Sequence, residues 1–225
     1  MEIDFWLERW NRGKTEFHQQ HINPYLGYYY GEMGPPAEKR SGLRVFVPLC
    51  GKSRDLWWLQ QSGYNTVGVE CSELAVEQFF AENSLSFSRG SRNGHVSYKA
   101  DSLEILLADF FSLEQEDIGV FSDIYDRASL IALPSAMRKQ YVDKITELQQ
   151  QGTRTLLITL TYPEEQMEGP PFSVTDDEVQ QLYADNYRID RLAAKNVLED
   201  EPRFKKRGLT SLTETAYKLT KIRNT

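Results

Sequence analysis

Apolar and polar residues alternate along this chain in segments that predict strands and helices in turn. The predicted strands are residues 44–49, 65–70, 103–108, 121–126, 155–161, 187–197 and 212–222. The predicted helices are residues 2–10, 53–61, 72–82, 134–150 and one that begins at a capping box, Thr175 to Glu178. Strands that alternate with helices predict an α/β domain with a parallel sheet, and the last two runs predict an antiparallel hairpin at its edge. Residues 23–40 are predicted to be irregular, and the pattern assigns no element to residues 84–102.

The segment from residue 43 to 70 is the most informative part of the chain. It predicts a strand, a tight turn over residues 48–51, a helix, and a second strand that ends in Glu70. In nucleotide-binding α/β folds, an acid about 20 residues after the glycine turn accepts hydrogen bonds from ribose hydroxyls. An acid that merely ends a strand at the surface is the alternative interpretation of Glu70.

The residues around the turn also limit which nucleoside could bind. A phosphate-binding loop ending at Gly51-Lys52-Ser53 would need glycine at position 46, where Phe46 stands. The dinucleotide pattern G-x-G-x-x-G is absent as well, so the backbone cannot approach a pyrophosphate closely. A ligand with a ribose and no phosphate fits both observations. S-adenosylmethionine is such a ligand.

Several motifs, in order along the chain, resemble the thiopurine S-methyltransferase family, and its bacterial branch most. They are Phe5-Trp6-Leu7-Glu8-Arg9-Trp10, Gly13 to His18, Val47 to Ser53, Val67 to Glu70, Tyr125 to Ala128, Ala132-Leu133-Pro134 and Gly169 to Phe172. The resemblance runs from about Trp6 to Tyr217. It implies a Rossmann-like class I methyltransferase fold, a seven-stranded, mostly parallel sheet with an N-terminal helical lid. We therefore expect a single domain over residues 1–225, with a leader at 1–40 and a core at 41–225.

The resemblance also implies roles for individual residues. Positions that bind the cofactor match Trp10, Leu49, Glu70 and Arg127, and the adenine-side pair matches Asp109 and Phe110. Positions near the substrate match Phe17, Pro170, Pro171 and, loosely, Arg203. Each residue has a structural alternative: a core side chain for Trp10, Leu49 and Phe110, a helix cap for Asp109, a surface ion pair for Arg127 and a solvated loop for the basic cluster at 203–207.

The implied reaction is methyl transfer from S-adenosylmethionine to the sulfur of an aromatic or heterocyclic thiol. Such an in-line displacement needs alignment and exclusion of water, so no general base is expected, and Arg127 is assigned a positioning role. His18 and His21 have a spacing that could suggest a metal, but no third ligand is placed near them, and no metal is expected. Methylation of selenium or tellurium species or of another small molecule, and non-catalytic cofactor binding, are the alternatives.

Composition adds limits on partners and location. The 225 residues are 40% hydrophobic and carry a formal net charge of −7, which disfavours nucleic acid and anionic membranes as partners. Two cysteines, Cys50 and Cys71, do not make a disulfide framework, and neither a signal peptide nor a membrane span is evident. We expect a cytoplasmic monomer that acts on a small-molecule thiol.

Overall fold

A computed structural model describes residues 3–15, 19, 21–32 and 34–223 of the chain. It divides into two compact units, Met1–Tyr125 and Asp126–Thr225. The predicted single domain stays a prediction. No helix in the described residues is long and apolar enough to cross a membrane.

The first unit is a sheet with helices in the connections between its strands. Its strands are β1 (Arg44–Val47), β2 (Asn65–Glu70), β3 (Ser88–Arg92), β4 (His95–Ala100), β5 (Leu103–Leu107) and β6 (Asp123–Arg127), the last of which runs into the second unit. Its helices are α1 (Ile3–Asn11), α2 (Pro24–Leu26), α3 (Arg54–Gln61), α4 (Glu73–Glu82) and α5 (Gln115–Ile118). Apart from the one-turn α2 and α5, they correspond to helices predicted from the sequence.

Strand order in the first unit is β3-β4-β5-β2-β1-β6. β1 pairs in parallel with β2 and with β6, and β2 pairs in parallel with β5. Val45, Phe46 and Val47 are buried along β1, as expected for a strand covered on both faces. Parallel pairing brings the ends of β1 and β2, with the turn after Val47 and Glu70, to the same edge of the sheet.

The β3–β4 hairpin fills the region that the hydrophobic pattern left unassigned. β3 and β4 pair antiparallel, and Asn93 and Gly94 turn the chain between them with φ of 49° and 88°. The side chains of β3 are mostly exposed and polar, so it has no apolar alternation. Asn-Gly is the strongest short hairpin signal, and it marked this turn in the sequence. With the hairpin, the described residues contain nine strands rather than the seven expected for the fold class.

The second unit is built on three antiparallel strands, with the last strand of the chain in the middle. Its strands β7 (Arg154–Thr161), β8 (Tyr187–Asn196) and β9 (Thr213–Lys221) are ordered β7-β9-β8. Its helices are α6 (Ser135–Glu147), α7 (Asp176–Tyr183) and α8 (Pro202–Lys206). The predicted hairpin of the last two strands is confirmed, since β8 and β9 pair antiparallel. The predicted cap of α7 is also present, because the Thr175 hydroxyl accepts a hydrogen bond from the Glu178 amide at 3.2 Å.

The leader has two parts that are attached differently. Helix α1 lies against α4, whereas the segment from residue 23 to 42 is fastened by hydrogen bonds. The Asn23 amide donates to Asp55 Oδ1 at 3.0 Å, and the Tyr64 hydroxyl donates to the Tyr30 carbonyl at 2.9 Å. The prediction that residues 23–40 are irregular is wrong: α2 is followed by a π-helical turn at Gly27–Glu32 and a 3-10 helix at Ala37–Gly42. Tertiary hydrogen bonds stabilise these short elements, and local periodicity does not report them.

Candidate functional site

The turn after β1 has an unusual backbone conformation. Leu49 has φ of 43° and Gly51 has φ of 52°, both in the left-handed region. That region disfavours a leucine and suits a glycine, and strained residues of this kind concentrate at functional sites. The Cys50 amide donates to the Val69 carbonyl at 2.9 Å, which ties the turn to the end of β2. Leu49 is half-buried at the edge of the sheet, so the interpretation of Leu49 as a core side chain does not hold.

Glu70 is the acid at this edge, and it is only 6% exposed. Its Oε2 accepts the Gly51 amide at 2.9 Å, and its Oε1 accepts the Ser72 amide at 2.8 Å. Burial raises the pKa of the Glu70 carboxyl, and these backbone hydrogen bonds oppose that rise. Oε1 also accepts a weak hydrogen bond from the Cys71 thiol at 3.4 Å, so the remaining lone pair of Oε2 is the acceptor position for a ligand hydroxyl.

Trp10 lies directly against the turn. It is 3% exposed, and a β-carbon built on Gly51 would come within 3.2 Å of Trp10 Cζ2. A side chain at position 51 would therefore be strained by the left-handed turn and crowded by the indole, and glycine avoids both. The structure brings Trp10, Leu49 and Glu70 together around one turn, as three of the predicted cofactor-binding residues. Phe17 lies outside the described residues.

Asp109 and Phe110 follow β5. Asp109 Oδ1 accepts the Phe111 amide at 3.0 Å and so begins a short 3-10 helix, Phe110–Ser112. One carboxylate oxygen of Asp109 therefore caps this helix, as the structural alternative proposed. The carboxyl is half-buried and can accept further hydrogen bonds. Phe110 is 1% exposed, so its backbone rather than its ring is the group that could border a ligand.

The two cysteine thiols at the turn are not suited to act as bases. Burial is the main cause that raises the pKa of the Cys50 and Cys71 thiols, and the Glu70 charge raises both further. Both cysteines therefore stay protonated at neutral pH. Since the reactive form is the thiolate, neither can accept a proton there. His95 lies 3.3 Å from Asp117, and His21 is exposed. The described residues contain no group of three side chains that could hold a metal, and His18 lies outside them.

Arg127 is the last residue of β6, and Ala128 after it has φ of 67°. A second strand end thus carries a non-glycine residue in the left-handed region. Arg127 is half-buried, while its neighbour Asp126 is 1% exposed. Asp126 Oδ2 accepts the Tyr141 hydroxyl at 2.7 Å, and Oδ1 accepts the Leu130 amide at 3.4 Å.

Asp126 makes stability depend on pH. Burial raises the pKa of its carboxyl to about 6, from an ordinary value of 3.8. The folded state then binds the proton more tightly than the unfolded state, so this group's contribution to stability falls as pH rises from about 4 to 6 and stays low above that. A rise of roughly two pKa units corresponds to at most about 3 kcal/mol.

We expect Asp126→Asn to gain stability relative to the native chain as pH rises from 4 to 7, because an amide carries no charge to desolvate. Urea unfolding of both proteins across this range measures the difference. Asp143→Asn, at an ion-paired acid on α6 whose side chain is 61% exposed, is the matched control. A difference between native and Asp126→Asn that stays constant with pH would contradict the assignment.

Pro170 and Pro171 belong to a loop that is held on several sides. The Tyr162 hydroxyl donates to the Pro171 carbonyl at 2.6 Å, and the Phe172 amide donates to the Ile131 carbonyl at 2.7 Å. Both prolines are half-buried, so part of their surface is open to contact. The loop thus presents an apolar surface of the second unit that two hydrogen bonds hold in place.

Arg203 lies in α8, where a solvated loop was expected. The short helix forms because Pro202 suits its first position and Phe204 is 3% exposed. Arg203 Nε lies 3.0 Å from Glu201 Oε2, and its guanidinium carbon is 4.7 Å from the centre of the Phe204 ring. These contacts fit an ion-paired and stacked arginine, and its predicted substrate role stays a prediction.

Asp55 and Arg138 are among the buried charged residues that were missed in the sequence. Asp55 is fully buried and accepts from the Asn23 amide and, at 2.9 Å, from the Tyr125 hydroxyl. Arg138 is 3% exposed on α6 and pairs with Glu178 on α7. Each stands in a polar helical segment that looks solvated, so no local signal marks it. Only the partners supplied by distant segments make such burial possible.

Comparison with known sequences matches the chain over nearly its whole length. The profile described as Thiopurine S-methyltransferase (TPMT) matches residues 1–222. A thiopurine S-methyltransferase of Bordetella petrii is 44% identical over 219 residues, which cover 97% of this chain and 98% of that protein. One of Bordetella pertussis is 43% identical over 224 residues, covering 99% and 100%.

Comparison with solved structures supports the fold class. A SAM-dependent methyltransferase from Anabaena variabilis aligns with a TM-score of 0.66 at 14% identity, covering 97% of this chain and 94% of that one. The 1,6-didemethyltoxoflavin-N1-methyltransferase of Burkholderia thailandensis, solved with bound 1,6-didemethyltoxoflavin and S-adenosylhomocysteine, aligns with a TM-score of 0.62 at 15% identity, covering 98% and 87%. Both likenesses concern the fold, which is that of the class I methyltransferases.

Proposed function

The chain belongs to the thiopurine S-methyltransferase family, and we propose that it methylates the sulfur of aromatic or heterocyclic thiols such as thiopurines. S-adenosylmethionine is the methyl donor, and the protein is an S-methyltransferase. The observation that carries the proposal is the Glu70 carboxylate, which is buried at the edge of the sheet and already oriented by the amides of Gly51 and Ser72. One ribose hydroxyl would take the remaining lone pair of Oε2, and the adjacent hydroxyl would displace the weak thiol donor of Cys71 from Oε1.

Cofactor binding is assigned to Trp10, Leu49, Glu70, Asp109, Phe110 and Arg127. In this proposal Glu70 binds the ribose, Asp109 and the Phe110 backbone border the adenine, and Leu49 packs near the methionine chain. Preorganised groups cost little reordering when the ligand binds, which favours affinity. Phe17, Pro170, Pro171 and Arg203 are assigned to the acceptor side, where the loop held by Tyr162 supplies a flat apolar surface.

The reaction needs alignment more than proton transfer. Bound S-adenosylmethionine would supply the methyl group to an acceptor thiolate, so that the acceptor would become a thioether and S-adenosylhomocysteine would be released. The thiol proton goes to solvent before attack, because an aromatic thiol ionises readily. Cys50 and Cys71 carry raised thiol pKa values, in keeping with a site that supplies no base. The protein would contribute near-attack geometry and exclusion of water.

A methyl-donor assay tests the acceptor. The purified chain, with labelled S-adenosylmethionine, is offered a thiopurine, thiophenol, selenite and tellurite in parallel. Turnover of the two thiols is expected. Methylation of selenite or tellurite alone would replace the thiol by a metalloid acceptor, and cofactor binding without any product would make the chain a non-catalytic binding protein.

We expect Arg127→Lys to lower kcat/KM by about tenfold, equivalent to ~1.4 kcal/mol. Lysine keeps the charge and loses the planar fork with which Arg127 would orient the cofactor carboxylate or an anionic acceptor. Steady-state kinetics measure the effect. Arg188→Lys is the control, since the Arg188 side chain is 62% exposed and lies near Asp190 on the same strand. Unchanged kinetics for Arg127→Lys would support the surface ion pair instead.

We also propose that the protein acts in the cytoplasm as a monomer on a small molecule. Cys50 and Cys71 are free thiols, which suits a reducing compartment. The net charge of −7 disfavours binding to nucleic acid or to an anionic membrane. Light scattering coupled to gel filtration measures the oligomeric state directly.

A further inference from the structure

The loop Gly169–Phe172 is shaped by the ring of Phe172. A β-carbon built on Gly169 would lie 2.6 Å from Phe172 Cδ1, so the ring is folded closely over this glycine. Gly169 has φ of 74°, which only glycine adopts without strain. The Phe172 amide is fixed by its hydrogen bond to the Ile131 carbonyl. The position of the ring and the course of Pro170 and Pro171 are therefore set together.

Arg138 holds this ring from the side of α6. Its guanidinium carbon lies 6.0 Å from the centre of the Phe172 ring, within the range of a cation–π contact. Its Nε donates to the Leu133 carbonyl at 3.0 Å, and its Nη1 donates to Glu178 Oε2 at 2.5 Å. One buried guanidinium thus joins the start of α6, helix α7 and the loop.

The geometry exceeds what an ion pair between two helices requires. A lysine could pair with Glu178, but it could not at once donate to Leu133 and lie flat against an aromatic ring. Burying a charge costs free energy unless neighbouring groups compensate its desolvation. Here the Leu133 carbonyl, Glu178 and the Phe172 ring all contact the guanidinium. The arrangement places the guanidinium of Arg138 beside the ring of Phe172, in the loop assigned to the acceptor.

We infer that Arg138 is a positioning residue that holds Phe172, and with it Pro170 and Pro171, against the ring of the acceptor thiol. The inference rests on the function proposed above. It predicts that loss of Arg138 weakens acceptor binding more for acceptors with a larger flat ring system. Affinity for the cofactor should not change. A two-ring thiopurine should depend on it more than the single ring of thiophenol.

The test compares Arg138→Met and Arg138→Lys with Lys139→Met. Lys139 is the neighbouring residue on α6, with a 78% exposed side chain paired to Asp143, so it controls for loss of a cation from this helix. We expect Arg138→Met to raise KM for the thiopurine about tenfold. The KM for thiophenol should rise less, and the Kd for S-adenosylmethionine should stay unchanged. Arg138→Lys should be intermediate, and Lys139→Met should resemble the native chain.

Combining Arg138→Lys with Phe172→Leu separates positioning from general stability. If Arg138 acts through Phe172, the double variant should have the same thiopurine KM as Phe172→Leu alone. Additive effects would overturn the inference. So would Arg138 variants in which both acceptors and the cofactor weaken in proportion, as expected for a purely structural role.

Hydrogen exchange supplies a readout that does not depend on activity. Arg138→Lys should speed exchange of the Phe172 amide, which is bonded to Ile131, and leave the Gly51 amide, bonded to Glu70, unchanged. If the native chain methylates no thiol, the proposed function fails, and this measurement alone decides whether Arg138 holds the loop. Unchanged exchange at Phe172 would overturn the inference.

Discussion

Glu70→Ala is expected to weaken S-adenosylmethionine binding by about 2 to 3 kcal/mol, the range for hydrogen bonds to a charged group. The substitution removes the two acceptors proposed for the ribose. It also leaves the buried amides of Gly51 and Ser72 without their carboxylate partner, so the turn itself loses its support. Calorimetric titration of the cofactor measures the loss. Glu70→Gln keeps one acceptor oxygen, so its affinity for the cofactor should lie between those of the native chain and Glu70→Ala.

Glu77→Ala controls for the loss of a carboxylate near the site, since Glu77 is exposed on α4. The dependence on pH adds a second check. Because burial raises the pKa of Glu70, protonation should weaken cofactor binding at a higher pH than an ordinary glutamate would, and Glu70→Gln should lack this component. Native affinity in a folded Glu70→Ala variant would remove Glu70 from the site.

Deletion of residues 1–18 is expected to lower kcat/KM by at least about 100-fold while the sheet still folds. The deletion removes helix α1 and Trp10, which covers the turn at Gly51, but no strand. It spares the Asn23 amide bonded to Asp55, so the fastened part of the leader stays in place. Loss of the indole should admit water and loosen alignment rather than unfold the domain.

Thermal melts followed by circular dichroism, together with the thiol assay, measure both outcomes on the truncated chain. A second variant, Asp55→Asn in the full chain, loosens the fastened part and leaves α1 in place, so it should lower stability more than the truncation does. If the truncated chain does not fold, α1 is a structural plug over apolar surface. If it folds and keeps full activity, the leader is no lid.

The strands and the turn that were predicted correctly are marked by residues close together in the sequence. β1 and β2 each contain a short apolar run, residues 45–47 and 67–69. Gly51 lies in the turn after the first, and Glu70 ends the second at a spacing known for ribose-binding acids. The β3–β4 hairpin had only Asn93-Gly94 to mark it, because its outer strand is polar and exposed. The periodicity of a strand with no buried face cannot be read, since nothing forces its side chains to alternate.

What the sequence by itself determined about this protein is the alternation of strands and helices, the turn and acid proposed to bind the cofactor, and the family. These depend on residues close together in the chain or on motifs in a set order. The tertiary structure alone decided that Asp55, Asp126 and Arg138 are buried, that Leu49 adopts a left-handed conformation, and that Glu70 holds the turn. Asp55 takes its partners from positions 32 and 70 residues away in the chain. A charged side chain looks solvated in any local window, and only such distant donors, which compensate its desolvation, allow it to be buried.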